Sequence, residues 1–294
     1  KKLKRNLKTL YLLKIIFTRM INKEEIKQLP DFLVVGVMKG GTSAAAVNLP
    51  FHPDIWMINA NTKMEVTTTY RYNLEDTIGG LNGFHKEMDF WNYKDNFNKG
   101  LDFYSSFFNT KAKAIGEASP NYFHLEEKHH IGCLPRMMKN IPDVKIIILL
   151  RDPITRAFSH WNMIQQTKPV WAKDKLGKTF NECTEGKPKY NSLLNRSKYF
   201  TNLIKFKGVF KNVHVALQES IMLDPTTEYD KMFKFLGVRP LGEAINYNLE
   251  VHSYNYDTEI DSKSLNWLKK FFKNDVDNVK TLLPELDYSL WNEY

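Results

Sequence analysis

The sequence predicts an α/β fold, a single domain with a central parallel sheet flanked by helices, and three features point to it. Phe32, Leu33, Val34, Val35 and Val37 fit a strand buried on both faces. A second run, Lys145-Ile-Ile-Ile-Leu-Leu150, is β-branched and apolar, and it passes directly into Arg151-Asp-Pro-Ile-Thr-Arg-Ala-Phe-Ser-His-Trp161. Strand-like and helix-like stretches alternate along the chain, as in right-handed βαβ units around a parallel sheet. The 294 residues suffice for one substantial core, and no internal repeat or long linker divides them.

Residues 1–30 read as a basic N-terminal helical extension, and residues 31–294 as the domain proper. Leu3, Leu7, Leu10 and Leu13 recur near helical spacing, and Pro30 ends the segment. The apolar stretch from Leu10 to Phe17 contains Lys14 and is too short to cross a bilayer. No cleavage site of the signal-peptide kind follows it. Such a helix is expected to pack its leucine face on the domain or on a neighbouring subunit of a homo-oligomer. Contact of residues 1–27 with an anionic membrane surface is the less favoured reading.

After the first strand, Lys39-Gly40-Gly41-Thr42-Ser43 supplies a cation, two permissive glycines and two hydroxyls, and Ala44 opens a helix. Strand, glycine turn and helix start place backbone N–H groups around an anion. The lysine precedes the glycines, whereas an ATP or GTP P-loop carries it after them. A plain tight turn is the competing explanation. Residues 84–108 hold nine aromatics, which wall an acceptor cleft or form core, with core favoured for more than half. Ala112 to Glu117 and Val213 to Leu217 read as short strands. Pro153 sits where a first helical turn tolerates proline, which leaves Arg151 and Asp152 at the carboxyl end of a strand. Open parallel sheets bind ligands there. Arg151 offers a planar fork to a phosphate and Ser159 a hydroxyl, with a structural ion pair as the alternative for the arginine. Residues 228–237 form an amphipathic helix ending at Gly237. Residues 262–283 carry an apolar stripe from Leu265 to Leu282, and Pro284 stops the helix.

Composition sets bounds. Hydrophobic content of 43% with 26% charged residues suits a globular protein in water. Only Cys133 and Cys183 occur, so neither a disulfide framework nor a metal site is expected, and a reducing cytoplasm is. Residues 1–27 hold nine lysines and arginines against two glutamates, a net +7, which leaves +2 of the chain's +9 for everything else. That distribution excludes the broad basic surface of a nucleic-acid binder, and it argues against a heavily sulfated polymer as partner.

The two strand-end motifs together resemble the sulfotransferases that use 3′-phosphoadenosine 5′-phosphosulfate (PAPS), especially the branch of heparan sulfate N- and 3-O-sulfotransferases and their bacterial relatives. Further pieces stand in family order: His52-Pro-Asp54, Lys86-Glu-Met-Asp-Phe-Trp91, Lys99-Gly-Leu-Asp-Phe-Tyr104, Gly116-Glu-Ala-Ser-Pro-Asn-Tyr122 and Phe235-Leu-Gly-Val238. The resemblance covers about residues 31–294 and implies a P-loop-like sulfotransferase fold. It implies that Lys39, Gly40, Gly41, Thr42, Ser43 and Ala44 hold the 5′-phosphosulfate of PAPS. It also implies that Arg151 and Ser159 hold the 3′-phosphate, with PAP left as product, and that Lys39 and Glu87 are catalytic. Ser197 and Lys198 lie near a further family position for nucleotide or acceptor.

The implied reaction moves a sulfuryl group by in-line displacement to a hydroxyl or amine of a modest-sized acceptor, such as a specialised metabolite. Lys39 would meet charge growing on the leaving phosphate oxygen, and Glu87 would take the acceptor's proton. Asp89 and Glu65 compete with Glu87 as base. Glu117 matches a family glutamate, but Ala118 stands where the family carries lysine. His124, His160 and His252 are further acid–base candidates, and Tyr254 or Tyr256 is placed to stack on adenine. A carbohydrate or glycolipid acceptor is the alternative within this class. A P-loop kinase and a non-catalytic nucleotide-binding, membrane-peripheral protein are the alternatives outside it.

Overall fold

The computed structural model describes residues 28–58, 87–108, 110–185, 192–242, 245–249 and 259–291. Residues 1–27 of the expected N-terminal extension, together with Glu65, His252, Tyr254 and Tyr256, lie outside the described residues. Five parallel strands form one sheet: β1 (Phe32–Gly36), β2 (Ile55–Met57), β3 (Ala114–Ala118), β4 (Lys145–Leu150) and β5 (Val213–Leu217). Their order is β2-β3-β1-β4-β5. The chain thus lays β2 and β3 on one side of β1 before crossing to place β4 and β5 on the other. Phe32 stands opposite Gly116 on one flank and Lys145 on the other. The order reverses between β1 and β4, and the carboxyl ends of those two strands are where a doubly wound sheet opens its crevice.

The principal helices are α1 (Thr42–Asn48), α2 (Cys133–Asn140), α3 (Pro153–Thr167), α4 (Phe200–Val209), α5 (Pro225–Leu236) and α6 (Ser262–Leu282). Strand side chains alternate between two cores. Leu33, Val35, Ile146, Ile148 and Leu150 join a cluster with Ile154, Leu203 and the Leu268, Phe272, Val276 stripe of α6. Phe32, Val34, Ile147 and Leu149 face the other way, onto Ala45 and Ala46 of α1 and Met232 and Phe233 of α5. Coverage on both faces is why these strands read as unbroken apolar runs rather than alternating ones.

Helix boundaries follow local chemistry. Asp152 caps α3 through Oδ1, which accepts from Ile154 N at 2.9 Å and Thr155 N at 2.8 Å, with Pro153 in the first turn. Asp224 and Asp261 cap α5 and α6 in the same way. Gly237, at φ 89°, ends α5 in the left-handed conformation expected of it. The start of α4 is capped from α6: Asp275 accepts from Tyr199 N at 2.7 Å and Phe200 N at 3.3 Å. Of the aromatics between 84 and 108, Phe90, Trp91, Tyr104 and Phe108 are fully buried, so core is their role. The helix expected from 228 begins earlier, at Pro225, because Asp224 and Pro225 make a better start than the apolar stripe alone indicates. The short strand β2 was not anticipated. Three residues carry too little pattern to be read without their neighbour β3.

Gly116 allows β1 and β3 to pair, since a Cβ there would stand 2.5 Å from the Phe32 ring, itself fully buried. Gly116→Ala is expected to lower stability by about 1–3 kcal/mol, read as a reduced urea midpoint at unchanged m-value.

Candidate active site

The loop after β1 lies directly on the end of β4. Val37 N donates to Leu149 O at 2.9 Å, and Gly40 N turns back to Val37 O at 2.9 Å. A Cβ at residue 40 would stand 2.4 Å from Leu149 O and 2.8 Å from Val37 Cγ2, so only glycine permits this approach. Gly41 serves a different need, adopting φ 93° as the residue that opens α1. Between Val37 and Gly40, Lys39 is itself left-handed at φ 68° and half-buried. Thr42, Ser43 and Ala44 follow in the first turn of α1.

Arg151 begins where β4 ends. Its Nη1 donates to Lys39 O at 3.4 Å and its Nε to Thr155 Oγ1 at 3.2 Å. The two anchors read from separate motifs therefore meet at a single hydrogen bond, on one side of the sheet. Tyr199 Oη donates to Arg151 O at 2.8 Å and fixes the backbone from below. Thr155, not singled out from the sequence, is the hydroxyl that orients Arg151; its i+4 spacing was the available signal. Ser159 continues the same face of α3 one turn deeper and is only 2% exposed.

Two further arginines underlie the loop. Arg156, fully buried, donates from Nη1 to Met38 O at 3.3 Å, from Nε to Ser197 Oγ at 2.6 Å, and from Nη2 to Leu193 O. Burial lowers its pKa to about 10, and Arg196 and Arg151 push in the same direction against Tyr199. Arg156 nevertheless stays charged at neutral pH. Ser197 Oγ donates to Pro153 O at 2.7 Å, and Lys198 sits over the Phe271 ring at 4.3 Å. These are the contacts of the two residues expected near the nucleotide or acceptor, with the Ser197 hydroxyl also serving as the acceptor that buried Arg156 needs.

The opposite wall is acidic. Glu87 is half-buried and leads into Asp89, which is left-handed at φ 46°. Asp89 takes Asn92 Nδ2 at 3.1 Å on Oδ1 and Asn121 Nδ2 at 3.3 and 3.1 Å on its two oxygens. Its own N–H donates to Ser119 Oγ at 3.1 Å. Desolvation, with the Glu87 charge second, raises the Asp89 carboxyl to about 7 against the pull of its amide donors. Glu117 is buried completely and accepts from Tyr104 Oη, Ser119 Oγ and Tyr122 Oη at 2.5, 2.7 and 2.7 Å. Burial raises its pKa. Glu117 thus organises the wall from behind, and Ala118 is buried beside it.

His124 and His160 are each 1% exposed, and neither ring nitrogen of either one has a hydrogen-bond partner among the described residues. Burial holds both well below the usual imidazole value, reinforced by the positive charge of Arg156 and Arg196. Both rings therefore lie in the interior as neutral imidazoles. The linkage has a definite sign: a depressed imidazole costs stability as pH falls below the unfolded value of about 6.5. His160→Gln is therefore expected to lose less stability than the parent between about pH 7.5 and 5, by up to about 1.4 kcal/mol per pH unit. Urea unfolding across that range measures the difference, and equal slopes would mean that His160 titrates normally in the folded protein.

Comparison with known proteins bears on the fold that carries these residues. The family model described as the sulfotransferase domain matches residues 29–280. The chain is similar to the human bifunctional heparan sulfate N-deacetylase/N-sulfotransferase 3, 29% identical over 238 residues, 75% of this chain and 24% of that protein. It is also similar to the human heparan sulfate glucosamine 3-O-sulfotransferase 5, 25% identical over 233 residues, 76% of this chain and 57% of that one. It therefore spans about a quarter of the first relative and just over half of the second. The crystal structure of a sulfotransferase from Alicyclobacillus acidocaldarius shares the fold, with a TM-score of 0.62 at 24% identity over 90% of this chain and 99% of that one. Strand order, loop geometry and the extent of the family match lead to one conclusion: the chain belongs to the sulfotransferase-domain family.

Proposed function

We propose that the protein transfers a sulfuryl group from PAPS to a hydroxyl or amine of a modest-sized acceptor. The observation that supports this reading is the Arg151 Nη1 to Lys39 O hydrogen bond, which brings the Arg151 guanidinium onto the backbone of the Lys39 loop at the ends of β4 and β1. A donor bearing a phosphosulfate at one end and a ribose phosphate at the other needs two such anchors in one crevice. Lys39, with residues 40–44, would hold the phosphosulfate, and Arg151 with Ser159 the 3′-phosphate. Lys39 would also stabilise charge growing on the leaving phosphate oxygen. Glu87, half-buried on the facing wall, would accept the acceptor's proton as its oxygen or nitrogen bonds to sulfur and the S–O bond to phosphate breaks.

The names of the relatives favour a second reading of the acceptor, a carbohydrate such as heparan sulfate. The small net charge of residues 28–294 favours the modest-sized acceptor instead. The two cysteines, Cys133 and Cys183, are both buried, and a reducing compartment is part of this reading. Residues 31–294 would form the catalytic domain, preceded by the basic extension.

Calorimetry with PAP tests the donor. Arg151→Ala is expected to weaken PAP binding about tenfold or more, and Lys39→Ala to reduce sulfonate transfer about 100-fold or more in a folded protein. Absence of PAP binding by the parent chain would overturn the proposal. A labelled-sulfonate screen over amines, phenols and sugars separates the acceptor readings. With an acceptor in hand, Glu87→Gln should lower turnover about 100-fold while leaving PAP affinity unchanged; retained activity would move the base elsewhere.

A further inference from the structure

Three segments distant in sequence meet at one guanidinium. Arg196 directs Nε and Nη2 at the two oxygens of Glu127, at 2.6 and 2.8 Å. Its Nη1 reaches Asn121 Oδ1 at 3.0 Å and Met38 Sδ at 3.2 Å. Met38 is the residue before Lys39 in the donor loop. Asn121, from the turn after β3, donates onward through Nδ2 to both carboxyl oxygens of Asp89. Because Arg196 takes the oxygen end of this amide, the Nδ2 end is fixed toward Asp89. The Arg196 side chain is only 12% exposed, so this is not a solvated surface pair.

We infer that Arg196 is a positioning residue, holding the donor loop through Met38 and the Glu87–Asp89 wall through Asn121 at one fixed spacing. The inference rests on the sulfotransferase reading and extends it, because it makes donor and proton acceptor depend on a single side chain. In-line transfer demands that spacing, and displacement of a reacting group by about 1 Å can cost about 100-fold in rate. Lysine cannot replace the arginine here. One ammonium carries the same charge but cannot span a carboxylate, an amide oxygen and a sulfur in one plane.

Asp89 gives the arrangement a chemical signature. Its carboxyl is held by neutral amides from Asn92 and Asn121, while the charged and titratable groups around it come from several elements. Glu87 lies on its own segment, Glu117 on β3 and Tyr122 just beyond. Cys133 and Arg136 come from α2, the arginine donating from Nη1 to the carbonyls of Trp91 and Asn92. The Asn121 amide is the largest influence drawing the Asp89 pKa down. Releasing that amide leaves desolvation and the two glutamates to raise it further.

The test follows PAP release from PAPS with water as acceptor, between about pH 5 and 9, alongside PAP calorimetry. For Arg196→Lys the expected PAP affinity is within about threefold of the parent, since Lys39, Arg151 and Ser159 are untouched. PAP release should fall about tenfold or more, and the Asp89 carboxyl, followed by 13C NMR in the ligand-free protein, should titrate at higher pH than in the parent. Asn121→Ala should behave alike, and the double variant should be no slower than the worse single within about twofold, as for residues acting in one chain. Should Arg196→Lys unfold in a thermal melt, Glu127→Gln loosens the same guanidinium from its other edge and is read identically. Losses that multiply in the double variant, turnover at the parent rate, or PAP affinity falling as far as turnover would each overturn the inference. If the parent fails to bind PAP, the donor reading falls first; PAP binding with an unmoved Asp89 titration sinks this inference alone.

Discussion

The parallel pairing of β1 with β4 is the constraint on which the rest of the molecule depends. Both strands end at the level where the sheet reverses its order, and the loop leaving β1 closes over the last carbonyls of β4 through Val37 N and Leu149 O. That contact requires residue 40 to have no side chain. With the loop in place, Lys39 and Arg151 converge, although 111 residues separate them in the chain. Two apolar cores, one on each face, hold the strands so that the convergence is rigid rather than transient.

Charge is then arranged in depth. Arg156 lies wholly inside, and burying a guanidinium is costly unless each of its edges finds an acceptor. Met38 O, Ser197 Oγ and Leu193 O provide them. The facing wall solves the opposite problem. Glu117 is buried among three hydroxyls, and Asp89 among amides. Positive groups therefore support the donor loop and negative ones the candidate base, with Arg196 and Asn121 forming the seam between them. Left-handed backbone at both Lys39 and Asp89 marks the two sides of that seam as the places where local strain is tolerated, as it often is at functional sites.

Much of this was legible in the residues. Unbroken apolar runs at 32–37 and 145–150 can be satisfied only by a sheet covered on both faces, so the class of fold followed from them. Asp152 with Pro153, and Gly237, announced helix ends through chemistry confined to a few neighbouring residues. The glycine pair after Lys39 pointed to a close backbone approach, which the Leu149 carbonyl explains. Less legible were the residues whose meaning lies in distant partners. Thr155, Arg156 and Arg196 look like ordinary helix or loop polar residues, and nothing local to Ser197 announces that its hydroxyl accepts from a buried arginine.

The amino-acid sequence by itself determined the fold class, the central strands, several helix ends and the glycine turn after β1, because these rest on periodicity, caps and glycine conformations that act over short spans. Only the tertiary structure decided which polar groups face the crevice and which brace it. Burial and hydrogen-bond satisfaction are properties of segments brought together from across the chain, so His124, His160 and Glu117 became interior groups while Asp89 acquired its raised pKa. No local pattern encodes that sorting; it emerges when β3, α3 and the 192–197 segment close around the loop after β1.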